Sequence, residues 1–236
     1  MYSRHLSNTT SYFGFEGLTV YQSDVNLLSP GRWLNDTIIS FMMLYFSKLY
    51  PETDISFIQP SALMLIRFGD EKDTRSVIEG SKIDTANLVI FAVSDVTHTE
   101  IDKAEAGSHW STLVFHRPSL TFFHLDSLFM HNNQAAFDIA SKLTTEMSLE
   151  DTTFVELNCD QQTNGNDCGI FSIVFMQRAM QAFRENPINF EAKLEELALA
   201  KVLPIKIRSF IWDSIEEAVS KIEVESGVRI RIKPPC

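Results

Sequence analysis

The chain has 236 residues, enough for one large domain with a full core, and its 44% hydrophobic and 22% charged content is that of an ordinary globular protein. A formal net charge of −11 argues against a nucleic-acid binder or a surface held to anionic lipid, both of which need clustered Lys and Arg, and is compatible with a basic protein partner. Three cysteines are too few and odd in number for a disulfide framework, which points to a reducing compartment, cytosol or nucleus; the polar start is no secretory signal and no apolar run reaches membrane-spanning length.

Residues 1–17 are polar and then rich in glycine and aromatics, and read as a flexible lead-in to a short strand at 18–21. Asn35 or Asp36 is placed to cap a helix through Ile38, Ile39, Met42, Tyr45 and Phe46 that stops before Pro51. Apolar on most sides, that helix belongs deep in the core. Residues 54–67 predict a short helix after Pro60, the β-branched run 88–93 a central strand, and the charged stretch 94–107 a loop. Strands at 110–116 and 120–125 flank Arg117-Pro118-Ser119 as a hairpin. Phe137, Ala140, Leu143 and Met147 stand at helical spacing over 132–147, with Asn132 or Asn133 as cap, and a short strand follows at 153–157. A long apolar helix is predicted over 168–185 and an amphipathic one over 191–203, broken by Pro204. Ile207, Ile211, Ile215, Ala218 and Ile222 give a last helix, with 226–236 as a C-terminal tail. Helices, a cluster of strands and helices again, without a repeat or a low-complexity linker, indicate a single α+β domain over 18–225.

The chemistry centres on Cys168, which follows the turn-forming run Thr163-Asn164-Gly165-Asn166-Asp167 and opens the long apolar helix. At a helix mouth, unpaired backbone N–H groups and the helix dipole favour a thiolate. His109 stands at a loop–strand junction, where a general base is held in place yet stays accessible. Asp126 ends the neighbouring strand, so a hairpin would set its carboxylate beside the His109 imidazole. Gln162, six residues before Cys168, is placed to aim an amide N–H at the oxyanion formed when a thiolate attacks a carbonyl, beside the Cys168 N–H. Each residue alone also has a structural reading: core cysteine, hydrogen-bonding histidine, turn aspartate. Cys159 reads as a buried neighbour and Cys236 as an exposed tail thiol. A metal site built from His109, His116, His124 and His131 has no recognisable ligand spacing, and Cys159 and Cys168 form no Cys-x-x-Cys pair, so neither metal nor cofactor is expected.

Four segments, Trp33-Leu34-Asn35-Asp36, Gly107-Ser108-His109-Trp110-Ser111, Phe123-His124-Leu125-Asp126-Ser127 and Gln162 through Asp167-Cys168-Gly169, resemble the Ulp-type cysteine proteases. These are the SUMO-specific proteases and deneddylases of the adenain-like clan, with a central mixed sheet flanked by helices. The stretch Gln22-Ser23-Asp24-Val25-Asn26-Leu27-Leu28-Ser29-Pro30 is similar to the deneddylase branch. The resemblance implies a catalytic set of His109, Asp126, Cys168 and Gln162. It also implies a ubiquitin-like partner ending in Gly-Gly, Nedd/Rub first and SUMO as the alternative, handled by a monomer. Trp33 and Trp110 match the tryptophans that line and cover the tunnel for its tail, and Asp36 an acidic residue near that tail. Ser94 falls where deneddylases place an asparagine in a mobile loop over the tail, and the loop 94–107 is longer than theirs. The rival from another class is a catalytically dead module that only docks a ubiquitin-like protein, although all four catalytic positions carry competent residue types.

Overall fold

The computed structural model describes residues 12–51, 54–100, 106–227 and 229–235. Five strands build its main sheet: β3 (Ile55–Ile58), β4 (Leu88–Ser94), β5 (Trp110–His116), β6 (Thr121–Leu125) and β7 (Thr153–Glu156), hydrogen-bonded in that order. The inner neighbours are antiparallel, whereas β3 on β4 and β7 on β6 run parallel, so the sheet is mixed. Strands β4 and β6 are buried along their full length, as expected of strands covered on both faces.

The period-2 alternation of strand side chains divides β4 between two cores. Leu88, Ile90 and Ala92 join a core with α2 (Asp36–Leu49), α6 (Cys168–Glu185), α7 (Phe190–Ala198) and α8 (Pro204–Ser226). Val89, Phe91 and Val93 join a second core with α3 (Pro60–Phe68), α4 (Glu71–Gly80) and α5 (Asn133–Glu146). The outcome is a single α+β unit of three layers, with the sheet in the middle. The β5–β6 hairpin turns through a short 3-10 segment, Arg117–Ser119, and closes on Leu120 in the left-handed region at φ 50°. Helix α2 is capped by Asn35, whose side chain accepts from the Ile38 N–H at 3.1 Å and donates to Asp24 Oδ1 at 2.8 Å.

Several elements depart from the sequence expectations. The stretch expected as a flexible lead-in contains β1 (Tyr12–Phe15), which pairs antiparallel with β2 (Leu18–Tyr21) around Glu16 and Gly17, both at positive φ. Phe13 is buried, because the glycine and aromatic residues of β1 alternate between core and solvent. Residues 1–11 and Cys236 lie outside the described residues. Residues 22–26 form a short helix, α1 (Gln22–Asn26). The segment 54–67 is split into β3 and α3, since Ile55–Ile58 extends the sheet before Pro60 starts the helix. Helix α4 was not anticipated; it starts at a reciprocal capping box in which Asp70 accepts from the Asp73 N–H at 2.9 Å. Helix α7 ends at Ala198, five residues short of Leu203, and Asp160 fastens the linker beyond it by accepting from the Val202 N–H at 2.8 Å. The C-terminal tail folds back, with Ile230 and Ile232 packed on the core and Lys233 exchanging hydrogen bonds with the Gln22 side chain.

Candidate active site

His109 is the residue before β5 and Asp126 the residue after β6, so the hairpin register Thr112↔Leu125 leaves both at one end of the sheet. The His109 Nε2–H donates to Asp126 Oδ1 at 2.5 Å. Helix α6 lies across β5 and is fastened to it by Thr112, whose Oγ1 donates to the Ser172 carbonyl at 3.0 Å, and by Ser172, whose Oγ donates to the Ser111 carbonyl at 3.2 Å. Those ties set the first residue of the helix, Cys168, near the imidazole, whose proton affinity it raises. Because Nε2 is occupied by Asp126, Nδ1 is the ring nitrogen left to serve the sulfur. The three side chains come from two elements far apart in sequence and are each only 3% exposed.

Burial opposes charge on His109, but the hydrogen bonds and charges of Asp126 and Cys168 outweigh it and lift the imidazole to about 9. Burial would likewise push the Asp126 carboxyl up. The donors around it, His109 and the backbone N–H groups of Asn132 at 2.8 Å and Leu128 at 3.0 Å, hold it below the ordinary carboxylate range instead. With its pKa raised to about 9, His109 favours the imidazolium form at neutral pH, the form in which a histidine beside a cysteine serves as acid.

Supporting residues that sequence reasoning missed surround this set. Asp95 accepts from the backbone N–H groups of Ser108 at 2.6 Å and His109 at 3.0 Å, clamping the turn that delivers the base. Gly107, at φ 82°, lies so close that a Cβ there would meet Ser94 Oγ at 2.6 Å, so this turn needs glycine. Arg208 of α8 is buried and donates to Asp167 Oδ1 at 2.7 Å and to the carbonyls of Leu27 at 2.9 Å and Arg32 at 2.7 Å. One guanidinium thus ties the residue before the nucleophile to the segment leading to Trp33. Only the Ser108–His109 junction gave a signal for any of this in the sequence; Asp95 and Arg208 look like ordinary surface charges.

A cleft of about 880 Å³ opens beside Cys168, and Trp33, Asp36, Ser94 and Trp110 all line it together with Pro60 and Met64. Trp33 is half exposed, and the Trp110 indole Nε1–H donates to the Leu34 carbonyl at 3.2 Å. Leu34 in turn packs against the start of the nucleophile helix, where a Cβ on Gly169 would come within 2.9 Å of the Leu34 Cβ. Ser94 departs from its expected place in a mobile loop: it is the last residue of β4, paired with Trp110 and buried, with its Oγ accepting from the Val96 N–H at 3.3 Å. The loop starts one residue later because the β4–β5 ladder extends to this pair.

Gln162 is oriented by Ser127, whose Oγ donates to its Oε1 at 2.8 Å, and its own Nε2 donates to the Asn164 carbonyl at 2.6 Å. The remaining histidines do not converge. His116, at the far end of β5, stacks on Phe190 at 4.5 Å, and burial pushes it down to about 4. His124 lies 2.7 Å from Glu156 Oε1 and 2.8 Å from Ser111 Oγ. That Ser–His–Glu series has the composition of a hydroxyl triad, yet Ser111 and His124 are sealed from solvent and serve the interior. His131 sets its ring 4.9 Å from that of His109, edge to face. The Cys159 thiol donates to the Asp126 carbonyl at 3.3 Å, and burial pushes it up to about 12, which makes it an inert neighbour.

Comparison with known proteins identifies the family. The profile of the Ulp1 protease family, C-terminal catalytic domain, matches residues 32–202. The chain is 30% identical over 167 residues to NEDD8-specific protease 1 of Arabidopsis thaliana, covering 70% of this chain and 73% of that protein. It is 33% identical over 168 residues to human sentrin-specific protease 8, covering 69% and 77%. Among solved structures, the C-terminal Ulp1 protease domain in complex with Smt3, the yeast ortholog of SUMO, superposes with a TM-score of 0.61 at 25% identity, covering 84% of this chain and 83% of that one. The chain belongs to the Ulp1 protease family and is a cysteine protease.

Proposed function

We propose that this protease hydrolyses the bond after the C-terminal Gly-Gly of a Nedd/Rub-type modifier, freeing the modifier from conjugated lysines and trimming its precursor. The observation that carries the reading is the placement of Cys168, His109 and Asp126 at the edge of a cleft walled by Trp33 and Trp110. Two flat indoles suit an extended tail of glycines and leave little room for side chains. The modifier assignment draws on the named activity of the Arabidopsis relative and on the human sentrin-specific protease 8, to which the chain is at least 30% identical.

The residues divide the chemistry as follows. The Cys168 thiolate attacks the glycine carbonyl carbon, and the carbonyl electron pair moves to oxygen. The Cys168 N–H, free of an intrahelical partner at the first helical position, and the second Nε2 hydrogen of Gln162 receive that oxyanion. As the intermediate collapses, the C–N bond breaks and His109 passes its Nδ1 proton to the leaving amine, which gives a thioester. Neutral His109 then takes a proton from water, hydroxide attacks the thioester, and the thiolate departs as the modifier carboxylate is released. Asp126 keeps the imidazole in one orientation throughout.

The test is a panel of Nedd, SUMO and ubiquitin substrates carrying a C-terminal fluorogenic amide, compared by kcat/KM, with Cys168→Ala as control. Nedd is expected to lead by roughly 10²-fold or more. Cys168→Ala is expected to lose hydrolysis and still bind the modifier. A SUMO lead would reassign the modifier, and normal turnover by Cys168→Ala would remove the mechanism.

A further inference from the structure

Asn132, one of the two asparagines that the sequence offers as the cap, occupies the cap position in front of α5, yet its side chain makes no capping hydrogen bond. It turns inward instead. Its Nδ2 donates to the Val93 carbonyl at 3.2 Å, the His109 carbonyl at 3.4 Å and Ser111 Oγ at 3.1 Å. Two of those partners are carbonyls, which only accept, so the nitrogen must face them and the amide has one permitted orientation. Its backbone N–H donates to Asp126 Oδ2 at 2.8 Å. One residue thus touches the end of β4, both sides of the start of β5 and the carboxylate after β6. Its Oδ1 is buried, and among the described residues no group donates to it. A side chain retained for stability alone would use its capping bond and would leave no buried acceptor unpaired.

We propose that Asn132 is a positioning residue of the active site. Its side-chain amide holds the His109 backbone and its own N–H holds the Asp126 carboxylate, which fixes the His109–Asp126 hydrogen bond in one geometry. The inference rests on the hydrolytic mechanism above, in which His109 gives and takes the proton. The groups that face His109 are Asp126 from the end of β6, Cys168 from α6, His131 from the turn before α5, and Asp95, which clamps its N–H and lies 3.6 Å from the His131 Nε2. Asp95 and Asp126 each join two strand ends, whereas Asn132 reaches those of β4, β5 and β6 together. Since Asn132 does not line the cleft, its removal should act on turnover and leave substrate binding in place.

The experiment measures kcat and KM against pH for Asn132→Ala with the best fluorogenic modifier substrate from the panel. The expected result is a fall in kcat of roughly 10- to 100-fold, an unchanged KM, and an alkaline limb displaced to lower pH as the His109 backbone is no longer held and its imidazole moves off the Asp126 carboxylate. Ser111→Ala, which leaves both carbonyl contacts of Asn132 intact, is expected to keep the native limb. If Asn132→Ala does not fold, Asn132→Ser and Asn132→Asp retain an oxygen able to cap α5 and carry the same measurement. A native limb with native kcat would overturn the proposal, as would loss of the fold in all three variants, which would make the residue a fold determinant. A panel in which no modifier is cleaved, although Cys168 reacts with a thiol probe, would fail the functional reading without touching the position of Asn132. The shift of the His109 titration, followed by NMR, would then decide.

Discussion

Replacing Asp126 with Asn changes one carboxylate oxygen to an amide nitrogen and removes one charge, with little change of shape. Oδ1 accepts from both His109 and Leu128, whereas Oδ2 accepts from Asn132 alone. The amide oxygen therefore stays on the His109 side, and its NH2 faces the Asn132 N–H, leaving two donors opposed in a buried site. The larger effect is electrostatic. His109 is raised to about 9 against an ordinary value of 6.5 because the hydrogen bonds and charges of Asp126 and Cys168 outweigh its burial, a net effect of roughly 3 kcal/mol in favour of the imidazolium. Without Asp126, burial regains influence and the imidazole titrates near or below neutrality. Most of the enzyme at pH 7.5 then lacks the proton that the leaving amine needs. The expected outcome is a fall in kcat at pH 7.5 of about 10², an alkaline limb moved from near 9 to about 7 or lower, and an unchanged KM. Stopped-flow hydrolysis of the fluorogenic substrate from pH 5 to pH 10 reads all three. An Asp126→Asn enzyme with its alkaline limb still near 9 would refute the assignment of Asp126 as the group that charges His109.

Gln162→Ala removes one oxyanion donor and leaves the Cys168 N–H, so turnover should drop by roughly 10² with KM unchanged; an unaltered kcat would take Gln162 out of the oxyanion hole. Arg208→Ala strands the buried Asp167 carboxylate and the Leu27 and Arg32 carbonyls. It should cost roughly 3–5 kcal/mol, or on the order of 10 °C in the calorimetric Tm, and a Tm within two or three degrees of native would show the ion pair to be dispensable. His116→Phe addresses acid stability. The native group is pushed down to about 4 by burial, so the unfolded chain binds the extra proton first. Its contribution is complete above pH 6.5 and fades as pH falls towards 4. The Phe variant should show a flatter stability curve across that window in urea titrations, and an equal slope would contradict a buried neutral His116.

The convergence of the three candidate catalytic side chains is legible because each sits at a boundary that local pattern reveals: a loop–strand junction for His109, a strand end for Asp126, a turn before an apolar helix for Cys168. Trp33 and Trp110 followed from the segments that carry them. What escaped was whatever depends on contact across the chain. Ile55–Ile58 is too short and too near Pro60 to declare itself a strand until β4 pairs with it. The glycine-containing β1 reads as a lead-in until β2 turns back on it. Arg208 and Asp167 are 41 residues apart, and nothing in the last helix marks one arginine as buried. A helix start advertises Asn132 or Asn133 as its cap, and Asn132 does hold that position, but the pattern conceals a side chain directed at strand ends. Ser94 was placed by analogy in a loop that the β4–β5 ladder shortens.

The catalytic hairpin and the cleft wall are separate parts that meet at the mouth of α6, and Gly169 is where they can be told apart. A Cβ at position 169 would stand 2.9 Å from the Leu34 Cβ, an atom attached to backbone and so unable to swing away. Leu34 must shift by about half an ångström or more, and its carbonyl accepts from the Trp110 indole while its neighbour Trp33 lines the same cleft. The His109–Asp126 bond is built from β5 and β6 and is untouched. Gly169→Ala should therefore raise KM by about tenfold and cost about 1–3 kcal/mol of stability through overpacking. Its alkaline limb should stay near 9. A variant with native KM would mean that the cleft wall is not registered against the nucleophile helix. A displaced limb would mean that wall and hairpin form one unit, and that substrate seating and proton transfer are coupled through Leu34.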